Sequence, residues 1–253
     1  MVSSRTKVRI DQLLVTRELA PTRARAQAMI LAGAVYVGET RTDKAGTLVP
    51  EDADVRVKGA DHPYVSRGGV KLAGALDRFG VKVEGLVCLD LGASTGGFTD
   101  CLLQRGARRV VAVDVGYGQL AHKLRIDPRV LVMERTNARS LTPESIEGAA
   151  DLTVVDASFI GLHQLMDAIA LCTRAGGELV ALVKPQFEVG REEATRGKGV
   201  VKDAAVRARA IAAAVEGVAE AGFEILGEAD CVIAGPKGNL EAFVHARRLA
   251  PPV

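Results

Sequence analysis

A glycine-rich turn between an apolar strand and a helix constrains this chain more than any other feature. The segment Val87-Cys88-Leu89-Asp90-Leu91-Gly92-Ala93-Ser94-Thr95-Gly96-Gly97-Phe98 runs apolar, breaks at glycine and then enters a helical pattern. Glycine lets backbone approach a nucleotide-like ligand closely, because no side chain stands in the way. The next apolar run, Val110-Val111-Ala112-Val113, ends in Asp114. That acid falls about 20 residues past the turn, the usual place for a carboxylate that holds a ribose diol. Together they predict a bound nucleoside cofactor and leave open which one.

The surrounding pattern alternates strand and helix. Val87 to Leu91, Val110 to Val113, Val130 to Met133, Leu152 to Val155 and Glu178 to Val183 read as strands. Most are continuous apolar runs, as expected for parallel strands covered by helices on both faces. An alanine-rich helix over Asp203 to Ala221 follows. Two last strands begin at Phe223 and at Glu241, joined through Ala234-Gly235-Pro236-Lys237-Gly238-Asn239. That connection is too short for a crossover helix, so it predicts an antiparallel hairpin. The expected class is α/β: a Rossmann-like sheet ending in an antiparallel hairpin, with a small N-terminal α+β module.

The hairpin bears on the cofactor. Sheets that bind NAD are usually parallel throughout, whereas the terminal hairpin is the pattern of S-adenosylmethionine-dependent methyltransferases. The turn reads Gly92-x-x-x-Gly96-Gly97 and lacks the second glycine of Gly-x-Gly-x-x-Gly, which admits a pyrophosphate. S-adenosylmethionine is therefore favoured over NAD. It is expected on Asp90, Gly92, Ala93, Ser94, Thr95, Gly96 and Phe98, with Asp114 on the ribose and Asn137 beside the adenine.

Residues 1–58 read as a separate module, 59–66 as a linker and 67–253 as the catalytic domain. Ile10, Leu13 and Leu14 have helical spacing, Thr22 can cap a second helix, and Val35–Val37 and Val55–Val57 alternate as strands. The net charge of +2 is too small to argue for a polyanion partner. Its distribution says more, since Arg5, Lys7, Arg9, Arg17, Arg23 and Arg25 crowd the first segment against only Asp11 and Glu18. Arg23 and Arg25 oppose the dipole of the helix they begin, which hints at an external anion. A solvated helix surface is the alternative.

The four cysteines are scattered and the four histidines show no metal-ligand spacing, so buried thiols and no metal are expected. No apolar h-region follows Met1, and no apolar run approaches about 18 residues, so a cytoplasmic chain with no membrane partner is expected.

Four polar residues recur at element ends: Asp156 and Lys184 after apolar strands, Glu241 at the start of the last strand, and Lys71 in a helix before the first. The order Lys71, Asp156, Lys184, Glu241 resembles the Lys-Asp-Lys-Glu tetrad of FtsJ-type ribose 2′-O-methyltransferases. Val65-Ser66-Arg67-Gly68-Gly69-Val70-Lys71-Leu72, the segment from Asp90 to Asp100, and Lys184-Pro185-Gln186-Phe187-Glu188 resemble the TlyA family. Members of that family carry both hemolysin and rRNA methyltransferase names. The resemblance spans essentially the whole chain, with Tyr64 where some relatives have tryptophan. It implies an N-terminal domain like ribosomal protein S-four, ribosomal RNA of the small or large subunit as partner, and methyl transfer to a cytidine 2′-hydroxyl.

A sugar hydroxyl needs a base to remove its proton. That role is expected of Lys184, oriented by Asp156, with Lys71 beside it and Glu241 fixing Lys71. Arg5, Lys7, Arg9, Arg23, Arg25 and Arg67 are expected to contact RNA phosphates. Arg191, Arg196 and Lys198, in the basic loop after Lys184, are expected to do the same. A monomer is expected, because the tetrad needs no second chain. The competing readings are an inactive RNA-binding assembly factor and a membrane-acting hemolysin, the second disfavoured by the absence of a long apolar span.

Overall fold

The computed structural model describes residues 7–17, 19–20, 22–31, 33–57, 62–189, 200–201, 203–235 and 238–250. Arg5, Arg191, Arg196 and Lys198, most of the basic loop and residues 59–61 of the linker lie outside them. The chain divides into two compact units, Met1–Pro63 and Tyr64–Val253.

In the first unit, β1 (Lys7–Arg9) leads into α1 (Ile10–Thr16), followed by α2 (Arg23–Leu31), β2 (Val35–Val37), β3 (Thr40–Arg41), β4 (Leu48–Pro50) and β5 (Val55–Val57). Ile10, Leu13 and Leu14 of α1 pack on Ala26, Met29 and Ile30 of α2 and on Val35. Thr22 Oγ1 accepts from Arg25 N at 3.2 Å, which satisfies one of the free amides of α2. β2 pairs antiparallel with β3 and β5. A second ladder pairs β1 antiparallel with β4, two strands that the sequence pattern does not mark.

In the second unit, α3 (Arg67–Phe79) precedes β6 (Val87–Leu91), α4 (Gly97–Gln104), β7 (Arg109–Val113), α5 (His122–Arg125), β8 (Val130–Met133) and β9 (Ala150–Val155). Then come α6 (Met166–Cys172), β10 (Thr173–Val183), α7 (Pro185–Glu188), α8 (Ala204–Glu220), β11 (Phe223–Asp230) and β12 (Ala242–Arg248). The strand order is β11-β12-β10-β9-β6-β7-β8. β12 pairs antiparallel with both β10 and β11, as the short connection requires. The other pairings are parallel.

Alternation along the strands explains their unbroken apolar runs. Leu89, Leu91, Leu179, Ala181 and Val183 face a layer with Met166 and Ile169 of α6 and Ile211, Ala214 and Val218 of α8. Cys88, Val110, Val180 and Leu182 face the other layer, with Leu72 and Leu76 of α3 and Phe98, Cys101 and Leu102 of α4. Each strand therefore needs apolar residues at every position.

Tyr64, Val65 and Ser66 are read from sequence as linker, but they pack with the second unit. Val65 N donates to Asp100 Oδ2 at 2.8 Å, and Ser66 Oγ caps α3 through Gly68 N. The cause is the apolar surface of α3 and α4, against which Tyr64 and Val65 are partly buried.

Candidate active site

The order in which strands join the sheet reverses between the parallel strands β6 and β9: β7 and β8 extend one way, β10 to β12 the other. In such sheets the carboxyl ends of the two central strands leave a crevice. A cleft of about 1160 Å3 lies there, lined among others by Lys71, Gly92 to Thr95, Phe98, Asp156, Lys184 and Glu241. Gly92 has φ +89, and a Cβ there would meet the Asp156 carbonyl oxygen at 2.8 Å. This glycine lets the ends of β6 and β9 approach each other, a role beyond admitting a ligand.

Two ion pairs occupy the cleft. Lys71 Nζ lies 2.5 Å from Glu241 Oε2. Lys184 Nζ lies 2.6 Å from Asp156 Oδ1, at an angle that makes the contact an ion pair rather than an aligned hydrogen bond. Lys184 also donates to Ser158 Oγ at 2.8 Å and to the Asp156 carbonyl at 3.3 Å. The Lys71 and Lys184 side chains are each 9% exposed. Taking such charges out of water costs several kcal/mol per ion, which their attraction seldom returns. Two buried pairs side by side at a strand edge therefore point to chemistry rather than stability.

Glu241 is nearly fully buried, and its Oε1 has no hydrogen-bond partner. Gly235 makes room for it: a Cβ there would sit 2.2 Å from Oε1. Sequence reasoning missed this glycine, because nothing local marks a residue that contacts a side chain six positions later. It also missed Ser158, although the hydroxyl two residues after Asp156 lies at the same strand end.

The glycine turn holds Asp114 with both carboxylate oxygens engaged. Oδ2 accepts from Ser94 N at 2.8 Å and Oδ1 from Gly116 N at 2.6 Å. Asp90 is wholly buried in β6, so its side chain does not face the cleft. This corrects the expectation of direct cofactor contact: Asp90 Oδ2 accepts from Thr99 Oγ1 at 2.6 Å, while Oδ1 has no partner. Burial pushes the Asp90 carboxyl up to about 7 against the lowering effect of Thr99, and Asp156 and Asp114 raise it further. Gly96 is buried with φ +94, and a Cβ there would strike Leu120 and Leu124. It too serves packing rather than a ligand. Asn137 is exposed, its Oδ1 accepts from Arg139 N at 3.1 Å, and neither it nor Asp114 lines the cleft.

These features suit a cationic nucleoside cofactor. Carboxylate oxygens of Asp156 and Glu241, which line the cleft, stand without aligned donors. The turn from Ala93 to Thr95 offers backbone to the cleft, and residues 92–97 include no lysine or arginine to meet a pyrophosphate.

The basic residues of the first unit divide into two kinds. Lys7 and Arg25 are exposed. Arg9 and Arg23 instead converge on Asp11, which is fully buried. Arg9 bonds both its oxygens at 3.0 and 2.9 Å, and Arg23 Nε and Gln27 Nε2 bond Oδ2 at 2.9 and 3.0 Å. Their side chains remain 40% and 51% exposed. The Arg9 guanidinium holds the Asp11 carboxyl well below the usual carboxylate range, Gln27 and Arg23 adding to the effect against burial. Arg23 at the start of α2 thus has an internal partner, and its placement alone does not imply an external one. In the second unit Arg67 is exposed and donates to the Ala234 carbonyl at 3.0 Å.

Residues 64–248 match the FtsJ-like methyltransferase family, and residues 8–55 match the S4 domain. The chain is 47% identical over 242 residues to the 16S/23S rRNA (cytidine-2′-O)-methyltransferase TlyA of Mycobacterium tuberculosis, covering 95% of this chain and 90% of that one. A solved structure from Streptococcus thermophilus with a provisional hemolysin name superposes with a TM-score of 0.76 at 39% identity, over 98% of this chain and 91% of that one. The N-methyltransferase NodS of Bradyrhizobium japonicum, solved with S-adenosyl-L-homocysteine, shares the fold with a TM-score of 0.52 at 17% identity, over 75% and 89% of the two chains.

Proposed function

The chain belongs to the TlyA family of FtsJ-like methyltransferases with an S4 domain, and on that premise we propose that it methylates a ribose 2′-hydroxyl of ribosomal RNA, at cytidine, using S-adenosylmethionine. The observation that carries the chemistry is the pair of buried lysine–carboxylate contacts, Lys184–Asp156 and Lys71–Glu241, in one cleft at the switch point of the sheet. When bound, the cofactor supplies a methyl group already activated on a sulfonium. Gly92, Ala93, Ser94, Thr95 and Phe98 would hold it, with Asp114 at the ribose.

The remaining work falls to the protein. Lys184, as the neutral amine, takes the proton of the 2′-hydroxyl, which is too weak a nucleophile without a base. Asp156 fixes the amine and stabilises the ammonium that forms. Lys71 is held at the cleft by Glu241 and orients the hydroxyl through a charge-assisted hydrogen bond. The rest of the acceleration is positional. Lys7, Arg9, Arg23, Arg25 and Arg67 contact RNA phosphates. Among the described residues, no helix is long and apolar enough to cross a membrane, so nothing there supports direct membrane action by a helical pore.

The test is incubation with methyl-labelled cofactor and ribosomal subunits that lack the modification, followed by digestion to nucleosides. Labelled 2′-O-methylcytidine, absent with Lys184→Ala, is the expected result. Label on a base, or unlabelled subunits despite cofactor binding, overturns the proposal.

A further inference from the structure

Methyl transfer to a neutral hydroxyl leaves a proton behind. The ribose O–H bond breaks, an O–C bond forms, and the S–C bond breaks with its electron pair staying on sulfur. If Lys184 takes that proton, a premise carried over from the reading above, the ammonium must lose it before the next turnover. Yet Nζ sits in a side chain only 9% exposed.

Among the described residues Nζ has two acceptors and one ion-pair partner, and they differ in what they can do with a proton. The Asp156 carbonyl, at 3.3 Å, is far too weak a base to take it. The Asp156 carboxylate, at 2.6 Å, stabilises the ammonium and so keeps the proton on nitrogen. Ser158 Oγ, at 2.8 Å, differs from both, because a hydroxyl accepts with a lone pair while donating its own hydrogen elsewhere. Ser158 is exposed and lines the cleft.

We propose that Ser158 is the proton outlet of Lys184. The Nζ–H proton passes to Oγ as the Oγ–H proton passes to water or a dissolved base. Nζ is left as the neutral amine and Ser158 as the neutral hydroxyl, so no charge resides on serine.

The segment that carries Ser158 is anchored on both sides. Asp156 N donates to Leu91 O at 2.9 Å, and Leu162 N donates to Glu188 Oε1 at 2.8 Å. Between them Phe159 adopts φ +68, and its ring, 92% exposed, lies 5.4 Å from that of Phe187. Ser158 Oγ stands 2.8 Å from Nζ between these two anchors and is open to the cleft.

Two readouts on the full chain test this, with wild type, Ser158→Ala, Ser158→Thr and Lys184→Ala. The first uses cofactor-free protein carrying 15N-labelled lysine, in which NMR follows exchange of the Lys184 Nζ hydrogens with water. Exchange is expected to slow roughly 10-fold or more in Ser158→Ala and to stay near wild type in Ser158→Thr, which keeps the hydroxyl. The second is turnover on ribosomal subunits, expected to fall roughly 100-fold in Ser158→Ala, the low end for loss of an acid–base contribution, and to recover as imidazole is added. Imidazole is a small soluble base, and a serine that merely positions Lys184 would show no such dependence. Exchange in Ser158→Ala as fast as wild type or faster overturns the outlet, as does lost turnover that imidazole leaves unchanged. Near-normal turnover by Lys184→Ala instead overturns the assignment of the base. Inactive Lys184→Ala alongside fully active Ser158→Ala overturns the outlet alone.

Discussion

Asp90 makes the buried electrostatics of β6 measurable through Asp90→Asn. The wild-type carboxyl is wholly buried, with one oxygen on Thr99 and the other without a partner, and it is raised from 3.8 to about 7. A carboxyl raised by folding binds its proton more tightly in the native state than in the unfolded chain. Wild-type stability therefore falls as pH rises from 3.8 to about 7, and the penalty is constant above that. The full penalty is about 4 kcal/mol, of which about 2.5 kcal/mol accrues between pH 5 and pH 8. Asparagine keeps an acceptor for Thr99 and cannot ionise. Its buried amide hydrogens lack a partner and cost about 1–3 kcal/mol at either pH. Asp90→Asn should thus gain about 2.5 kcal/mol on wild type between pH 5 and pH 8, a shift of ~1 M in the urea midpoint of the catalytic unit. Parallel urea titrations at the two pH values read this directly. Identical pH dependence in both proteins would refute the reasoning, because the ionisable group would then not be Asp90.

Asp114→Ala removes the acceptor for Ser94 N and Gly116 N, so S-adenosylmethionine should bind on the order of 10-fold more weakly; an unchanged dissociation constant by calorimetry counts against the ribose role. Glu241→Leu leaves Lys71 as an uncompensated buried cation and should cost about 3–5 kcal/mol in thermal or urea unfolding. Pairing it with Lys71→Met should recover most of that stability without recovering methylation, and a double variant no more stable than the single would contradict the account. Asp11→Ala should release Arg9 and Arg23 from their fixed positions and weaken RNA binding, measured by filter retention at several salt concentrations. The Asp11 carboxyl is lowered by folding, so its contribution to stability is present above pH 3.8 and disappears as pH falls further. Wild type should therefore lose stability to Asp11→Ala on acidification, and a constant gap between them would argue against the buried network.

Whatever depends on local pattern and on chain order was legible from the residues alone. Continuous apolar runs required strands buried on both faces, and the short connection before Glu241 required β12 to run antiparallel. Ser66 and Thr22 were legible as caps because capping is decided within three residues. Element ends also named the four candidates: Asp156 and Lys184 follow apolar strands, Glu241 opens the last strand, and Lys71 lies in the helix before the first. Tertiary structure alone decided which acid meets which lysine. Lys71 and Glu241 are 170 positions apart, and a buried pair forms only where α3 and β12 converge. It also decided that Asp90 lies inside the sheet rather than on the cleft, that Asp11 engages two arginines the sequence shows as free, and that Gly96 and Gly235 make room for protein side chains. Spacing along a chain reports periodicity and direction. Burial, ion pairing and the space left by a missing Cβ arise between segments distant in sequence, and only packing brings these together.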